Sequence, residues 1–169
     1  MRSLDPFVFF AAAAIVAAVA DLWGAMRWKR AYFAYGIPIL MRRIARPAGL
    51  GDVSIEKLEA AGRPAAGAPL VFRQIAPDLI GFREKAFAGG SLHYMPVMHG
   101  AIRYDATEGV VRVAGIVNYF VVAVMAALVV LFRSGPYEVP LLALGVFALI
   151  YFIQAVRFNR VANVIFKAP

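Results

Sequence analysis

The sequence predicts a membrane α+β protein. It has three transmembrane helices, one N-terminal and two in a C-terminal hairpin, with a small antiparallel β-rich cytoplasmic module inserted between the first and second. Three observations predict it. Apolar runs cover Pro6 to Met26, Val113 to Phe132 and Pro140 to Val156, lengths of 21, 20 and 17 residues. About 20 helical residues cross a hydrocarbon core roughly 30 Å thick. Between residues 36 and 115, Gly, Pro and turn residues recur and the apolar runs shorten to strand length. The chain as a whole is 62% hydrophobic with a mean hydropathy of +0.72, whereas soluble domains are about half apolar. The expected units are an N-terminal helix with its basic flank (1–30), a membrane-apposed β-rich module (31–112) and a helical hairpin with an amphipathic extension (113–169).

Asp5-Pro6 opens the first helix with an acidic cap and a proline whose missing N–H costs nothing there. A signal peptide would end in small residues at a cleavage site. This run instead continues through Leu22, Trp23 and Met26 into Arg27, Lys29 and Arg30, so it reads as a retained anchor. Small residues recur at four-residue spacing along it. Ala13, Ala14, Ala17, Ala18 and Gly24 predict a face that lets another helix approach closely. Asp21 shares the helix-packing interface, where a charge in hydrocarbon needs a partner; Arg27, Lys29 or a cation of another chain is the expected one. Trp23, Trp28, Tyr32, Phe33 and Tyr35 gather where the helix leaves the membrane, as amphipathic rings do.

In the middle region, Gly36 to Arg43 reads as a strand that Pro38 restricts to an edge. Val53 to Ala61 reads as a short helix ended at Gly62. Strands follow at Leu70 to Ile75, Leu79 to Phe87, Leu92 to Tyr104 (broken at Pro96) and Val110 to Ala114. The hairpin around Asp105 to Gly109 is the clearest local signal. Ile102 and Tyr104 face Val111 and Val113 on one side, with Arg103, Asp105 and Arg112 on the other, wet side. The segment Arg133 to Val139 is the turn of the second and third spans. The third helix would run from Pro140 to Lys167, with Phe158, Val161 and Ile165 opposite Asn159, Arg160 and Asn163. Asn118 and Gln154 are the expected interhelical polar contacts.

The net charge of +8 is unevenly placed: residues 27–115 hold 13 Lys and Arg against 7 Asp and Glu. The positive-inside rule then orients the chain in a bacterial inner membrane, N-terminus outside and C-terminus inside. Arg27, Lys29, Arg30, Arg42, Arg43 and Arg46 become candidate contacts for anionic headgroups. This rule and the headgroups account for the basic charge without nucleic acid.

Chemistry-bearing patterns are sparse. The chain has no Cys and two histidines, His93 and His99. On one uninterrupted strand these would stand about 20 Å apart, too far to share a metal ion. No phosphate loop, nucleophile elbow or carboxylate pair is recognisable. No metal, cofactor or enzymatic activity is therefore expected. The leading expectation is a non-catalytic accessory subunit that packs on a larger membrane protein complex, such as a respiratory or photosynthetic assembly, with membrane lipids around it. The alternative is a lipid-headgroup-binding or regulatory protein. Strands leading into a helix resemble, at the level of fold alone, a small bacterial pleckstrin-homology-type barrel.

Overall fold

A computed structural model describes residues 6–45, 50, 53–63, 69–85, 87–88, 91–92, 98–134 and 137–167. Helix α1 (Pro6–Met26) is followed by the short α2 (Arg30–Ala34), β1 (Pro38–Ala45), α3 (Ile55–Ala61), β2 (Leu70–Ala76), β3 (Leu79–Glu84), the two-residue strands β4 (Phe87–Ala88) and β5 (Ser91–Leu92), β6 (Met98–Asp105), β7 (Val110–Val117), α4 (Tyr119–Ser134) and α5 (Glu138–Lys167). Five strands form one antiparallel sheet in the order β1-β7-β6-β3-β2. Among the described residues this sheet is an open layer with β1 and β2 at its edges, unlike a closed pleckstrin-homology-type barrel.

The predicted hairpin sits in its expected register, Ile102 opposite Val113 and Tyr104 opposite Val111. Pro38 stands at the start of edge strand β1, where its missing N–H interrupts no ladder. Ser54 caps α3 by accepting a hydrogen bond from the Lys57 N–H, and Gly62 closes the helix.

One face of the sheet carries the main core. Phe72, Ile80, Phe82, Ile102, Val111 and Val113 pack there beneath Leu58 of α3 and Phe158, Val161, Ala162 and Ile165 of α5. The amphipathic end of the third helix thus folds onto the module of its own chain. The opposite face takes α2, with Phe33 seated over Gly81, and the end of α1. Its middle row, Gly81, Ala101 and Ala114, is small because side chains there lie under α2 or border a groove.

Two helices, α1 over Val8–Met26 and α5 over Pro140–Phe166, are long and apolar enough to cross a membrane. The second predicted span differs. Val113 to Val117 belong to β7, and α4 is a 16-residue helix whose apolar stretch covers Tyr119–Val130. Val113, Ile116 and Val117 are β-branched residues whose alternate members fill the core, and that packing claims them for the sheet. Three full-length spans are therefore not what the helices provide by length.

Gly100 lies on the core face directly beneath the Phe82 ring, in the space a Cβ would need. The expected cost of Gly100→Ala is about 1–3 kcal/mol, since an added methyl there must push the ring out of a packed position. Denaturation of the purified protein checks it, with a Gly109→Asn change at the β6–β7 turn, where φ is +61° and an added Cβ would meet nothing within 4 Å, expected to cost much less.

Candidate functional site

The described residues contain no catalytic-looking constellation and no group of three or more His, Cys, Asp or Glu placed to hold a metal ion. His93 and Arg46 lie outside the described residues. What the fold builds instead is a buried polar joint between helices and sheet, and a groove beside it.

The joint forms where α1 ends and α4 begins. These helices pack against each other, and because α1 reaches the sheet by its C-terminus and α4 leaves it by its N-terminus, they run antiparallel. Ala13, Ala14, Ala17 and Ala18 are half-buried, whereas Ile15, Val16 and Val19 are more than 60% exposed. The small-residue face is therefore turned inward, and α4 is the helix it packs against. Gly24 serves a different neighbour: a Cβ there would sit 2.6 Å from the Tyr32 ring.

Asp21 is fully buried, and its partners are not the cations expected for it. Its two carboxylate oxygens accept hydrogen bonds from the first backbone N–H groups of α4, Tyr119 at 3.1 Å and Phe120 at 2.7 Å. Those N–H groups have no partner inside their own helix and carry the positive end of its dipole, so one carboxylate satisfies both demands. No sequence pattern could link positions nearly a hundred residues apart.

Asn118, immediately before α4, is also fully buried. It lies 2.6 Å from His99 Nδ1 and accepts a hydrogen bond from the Tyr32 hydroxyl at 3.3 Å. His99 Nε2 stands 2.9 Å from the Tyr32 carbonyl, with the Tyr32 ring stacked on the imidazole at 4.0 Å between centroids. Asn118 was expected to bond between helices; it joins α4 to the sheet and α2. Burial disfavours the charged imidazole and pushes the His99 pKa down, against the opposing pull of Asn118 and Tyr32. The neutral ring, with Nε2–H donating to the Tyr32 carbonyl, needs the Asn118 amide turned so that its nitrogen donates to Nδ1, and the Tyr32 hydroxyl then accepts from that amide nitrogen instead of donating to the oxygen.

Arginines of the sheet close the other helix ends. Arg83 Nε donates to the Ala25 carbonyl of α1 at 3.1 Å, and Arg103 Nη2 donates to the Ala34 carbonyl of α2 at 3.1 Å. Both place a cation where a helix dipole is negative. Between them, α1 ends in a Schellman turn, Lys29 N–H to the Gly24 carbonyl and Trp28 N–H to the Ala25 carbonyl. Its left-handed residue is Trp28, at φ +51°. Such a backbone costs on the order of 1 kcal/mol in a bulky residue. The Trp28 ring offsets this by stacking on Phe33 at 5.2 Å under the Arg83 guanidinium at 4.9 Å.

A second joint holds α5. Gln154 Nε2 donates to Glu84 Oε1 at 2.7 Å, and Arg157 pairs with the same carboxylate. All three are buried, so Gln154 bonds to the sheet and not to another helix.

The predicted headgroup cations do not converge. Arg42 and Arg43 alternate across β1: Arg42 donates to Asn163 of α5 at 2.8 Å, while Arg43 stands opposite Arg112 on the other face. Arg27 lies over the Trp23 ring at 4.6 Å, and Arg30 is 3.8 Å from Asp78, both exposed. The structure brings Arg43 beside Arg103 and Arg112, the pair expected on the wet side of the hairpin: Arg43, Arg112 and Arg103 occupy facing positions on β1, β7 and β6. Beside this row lies a groove of about 170 Å³ bordered by Phe33, Gly36, Met41, Ala101, Ala114 and Ile116, with Arg103 and Arg112 at one end.

Compared with protein-family models, curated proteins and solved structures, the chain matches none of them.

The lowered His99 pKa fixes the sign of a pH effect. The neutral joint contributes fully above the unfolded pKa of about 6.5, and its contribution is lost as the pH falls through the folded value, because the unfolded chain binds the proton first. The purified protein is expected to lose thermal stability from about pH 6.5 downward, and His99→Gln should flatten that limb while costing stability at neutral pH. An acid limb unchanged in His99→Gln contradicts the assignment.

Proposed function

We propose that this chain is a non-catalytic integral membrane protein that holds its sheet module against the cytoplasmic face of the membrane and engages anionic lipid there. The observation that carries the reading is the distribution of exposed apolar side chains. Phe9, Ile15, Val16 and Val19 on α1, Val129 on α4, and Leu141, Leu142, Leu149 and Phe152 on α5 all face outward with more than half their surface exposed. Soluble proteins rarely display apolar patches of this extent. Where these faces end, Trp23, Tyr35 and Ile37 are exposed beside Arg27, Lys29 and Arg30, the aromatic and cationic collar of a membrane interface.

All three helices meet the sheet at one end, so a single crossing direction puts the start of α1, the end of α4 and the start of α5 on one side and the module on the other. The excess of Lys and Arg favours the module side as cytoplasmic. The packing observation that favoured an accessory subunit is weaker in the folded chain, because α4 covers the alanine face. One observation still favours it: α5 is 30 residues long, about 45 Å, and overruns the bilayer with Phe166 exposed at 70%.

Each surface cation contributes about 1 kcal/mol toward an anionic membrane. Replacing Arg27, Lys29 and Arg30 together by Gln is therefore expected to remove most of the phosphatidylglycerol enrichment around the nanodisc-reconstituted protein, read by mass spectrometry of retained lipid. Unchanged enrichment contradicts the lipid reading, and a large subunit co-purifying in stoichiometric amount from native membranes favours the accessory one.

A further inference from the structure

Like charges on directly opposed strand positions repel, yet Arg43, Arg112 and Arg103 stand in one row across β1, β7 and β6. Asp105 and Glu108 each lie 2.8 Å from the same terminal nitrogen of Arg112, so two carboxylates stand against the three guanidinium groups of the row. Arg112 Nε, on the same edge of that guanidinium, is buried and has no hydrogen-bond partner. Arg103 uses Nη2 on the Ala34 carbonyl, and its fork carries further N–H donors. An N–H buried without an acceptor is rare in a finished site, and the side chain that carries this one borders a groove.

The groove has direction. β7 runs from Arg112 toward Ile116 and then, through Asn118, into α4. Its apolar end, bordered by Gly36 and Ile116, is thus the end near the helices, and its basic end lies four residues further along the strand, about 13 Å. The floor between them is the small pair Ala101 and Ala114. This is the polarity of a phospholipid standing in a membrane, tail inward and phosphate outward.

We propose that the groove binds one anionic phospholipid, with the upper part of an acyl chain over Ala101 and Ala114 and the phosphate accepting hydrogen bonds from Arg112 and Arg103. The proposal deepens the lipid reading above and rests on it: that reading concerns the general collar of cations around the helices, whereas this one assigns a single site on the module. Bidentate contact with phosphate suits the planar guanidinium.

The test uses the full chain in maltoside micelles, titrated with lysophosphatidylglycerol, lysophosphatidylcholine and inorganic phosphate, with bound lipid counted by native mass spectrometry. One lysophosphatidylglycerol per chain is expected, bound at least tenfold more tightly than the zwitterionic lipid. Ala114→Phe, which fills the floor and keeps every arginine, is expected to weaken it at least tenfold. Arg112→Gln is expected to erase the preference between the two lipids. Equal affinity for both lipids in the unaltered protein overturns the proposal, as does undiminished binding by a folded Ala114→Phe protein or binding of phosphate with no gain from the tail. If Arg27, Lys29 and Arg30 alone control lipid retention in the nanodisc while these groove variants change nothing, the groove falls and the broader reading stands.

Discussion

The carboxylate of Asp21 is the interaction on which the rest of the architecture depends. A helix that starts directly from a strand end exposes N–H groups which lack partners, and where they are buried water cannot supply them. Asp21 meets two of these groups on α4 from the neighbouring helix, and it does so from a fully buried position. Placing the acceptor on α1 fixes the height of one helix against the other, so the antiparallel pair has a defined register before its alanine face adds contact.

The same logic recurs at each joint. Arg83 and Arg103 reach from the sheet to the carbonyl ends of α1 and α2, and Glu84 receives Gln154 and Arg157 of α5. A carboxylate meets the start of α4, guanidinium groups meet the ends of α1 and α2, Glu84 meets side chains well inside α5, and each pairing crosses from one element to another. Buried ions of this kind add little net stability compared with apolar packing, but removing one partner is costly because the other remains buried. Their effect is specification: among apolar helices that could slide or rotate, few arrangements satisfy every one of these groups. The groove is a consequence of the arrangement. The small residues that admit Phe33 over Gly81 continue as Ala101 and Ala114 beside α2, where no described residue fills the space.

Local features were legible in the sequence because local physics decides them. The β6–β7 hairpin follows from alternation around a Gly-terminated turn, the edge position of β1 from Pro38, and the buried stripe of α5 from the spacing of Phe158, Val161 and Ile165. The inward-facing alanines of α1 were also readable as a packing surface, though not which helix would fill it. The boundary at Val113 was misread because an apolar β-branched run suits either a buried strand or a membrane helix, and only its pairing with β1 and β6 decides between them. Asp21, Asn118 and Gln154 stood out as buried polar residues; their partners did not, since those lie 19 to 99 residues away. Arg42 and Arg43 read as one cluster although a strand sends adjacent side chains to opposite faces.

The central claim is that Asp21 locks α1, α4 and the sheet into one unit. Hydrogen exchange of the Tyr119 and Phe120 amides in lipid nanodiscs tests it most directly, comparing the unaltered protein with Asp21→Ala. The account predicts that in the unaltered protein these two amides exchange as slowly as the central strands β6 and β7, and that Asp21→Ala speeds them by about tenfold or more, the equivalent of a lost hydrogen bond to a charged group. Fast exchange at Tyr119 and Phe120 in the unaltered protein, or no change on removing the carboxylate, would contradict it.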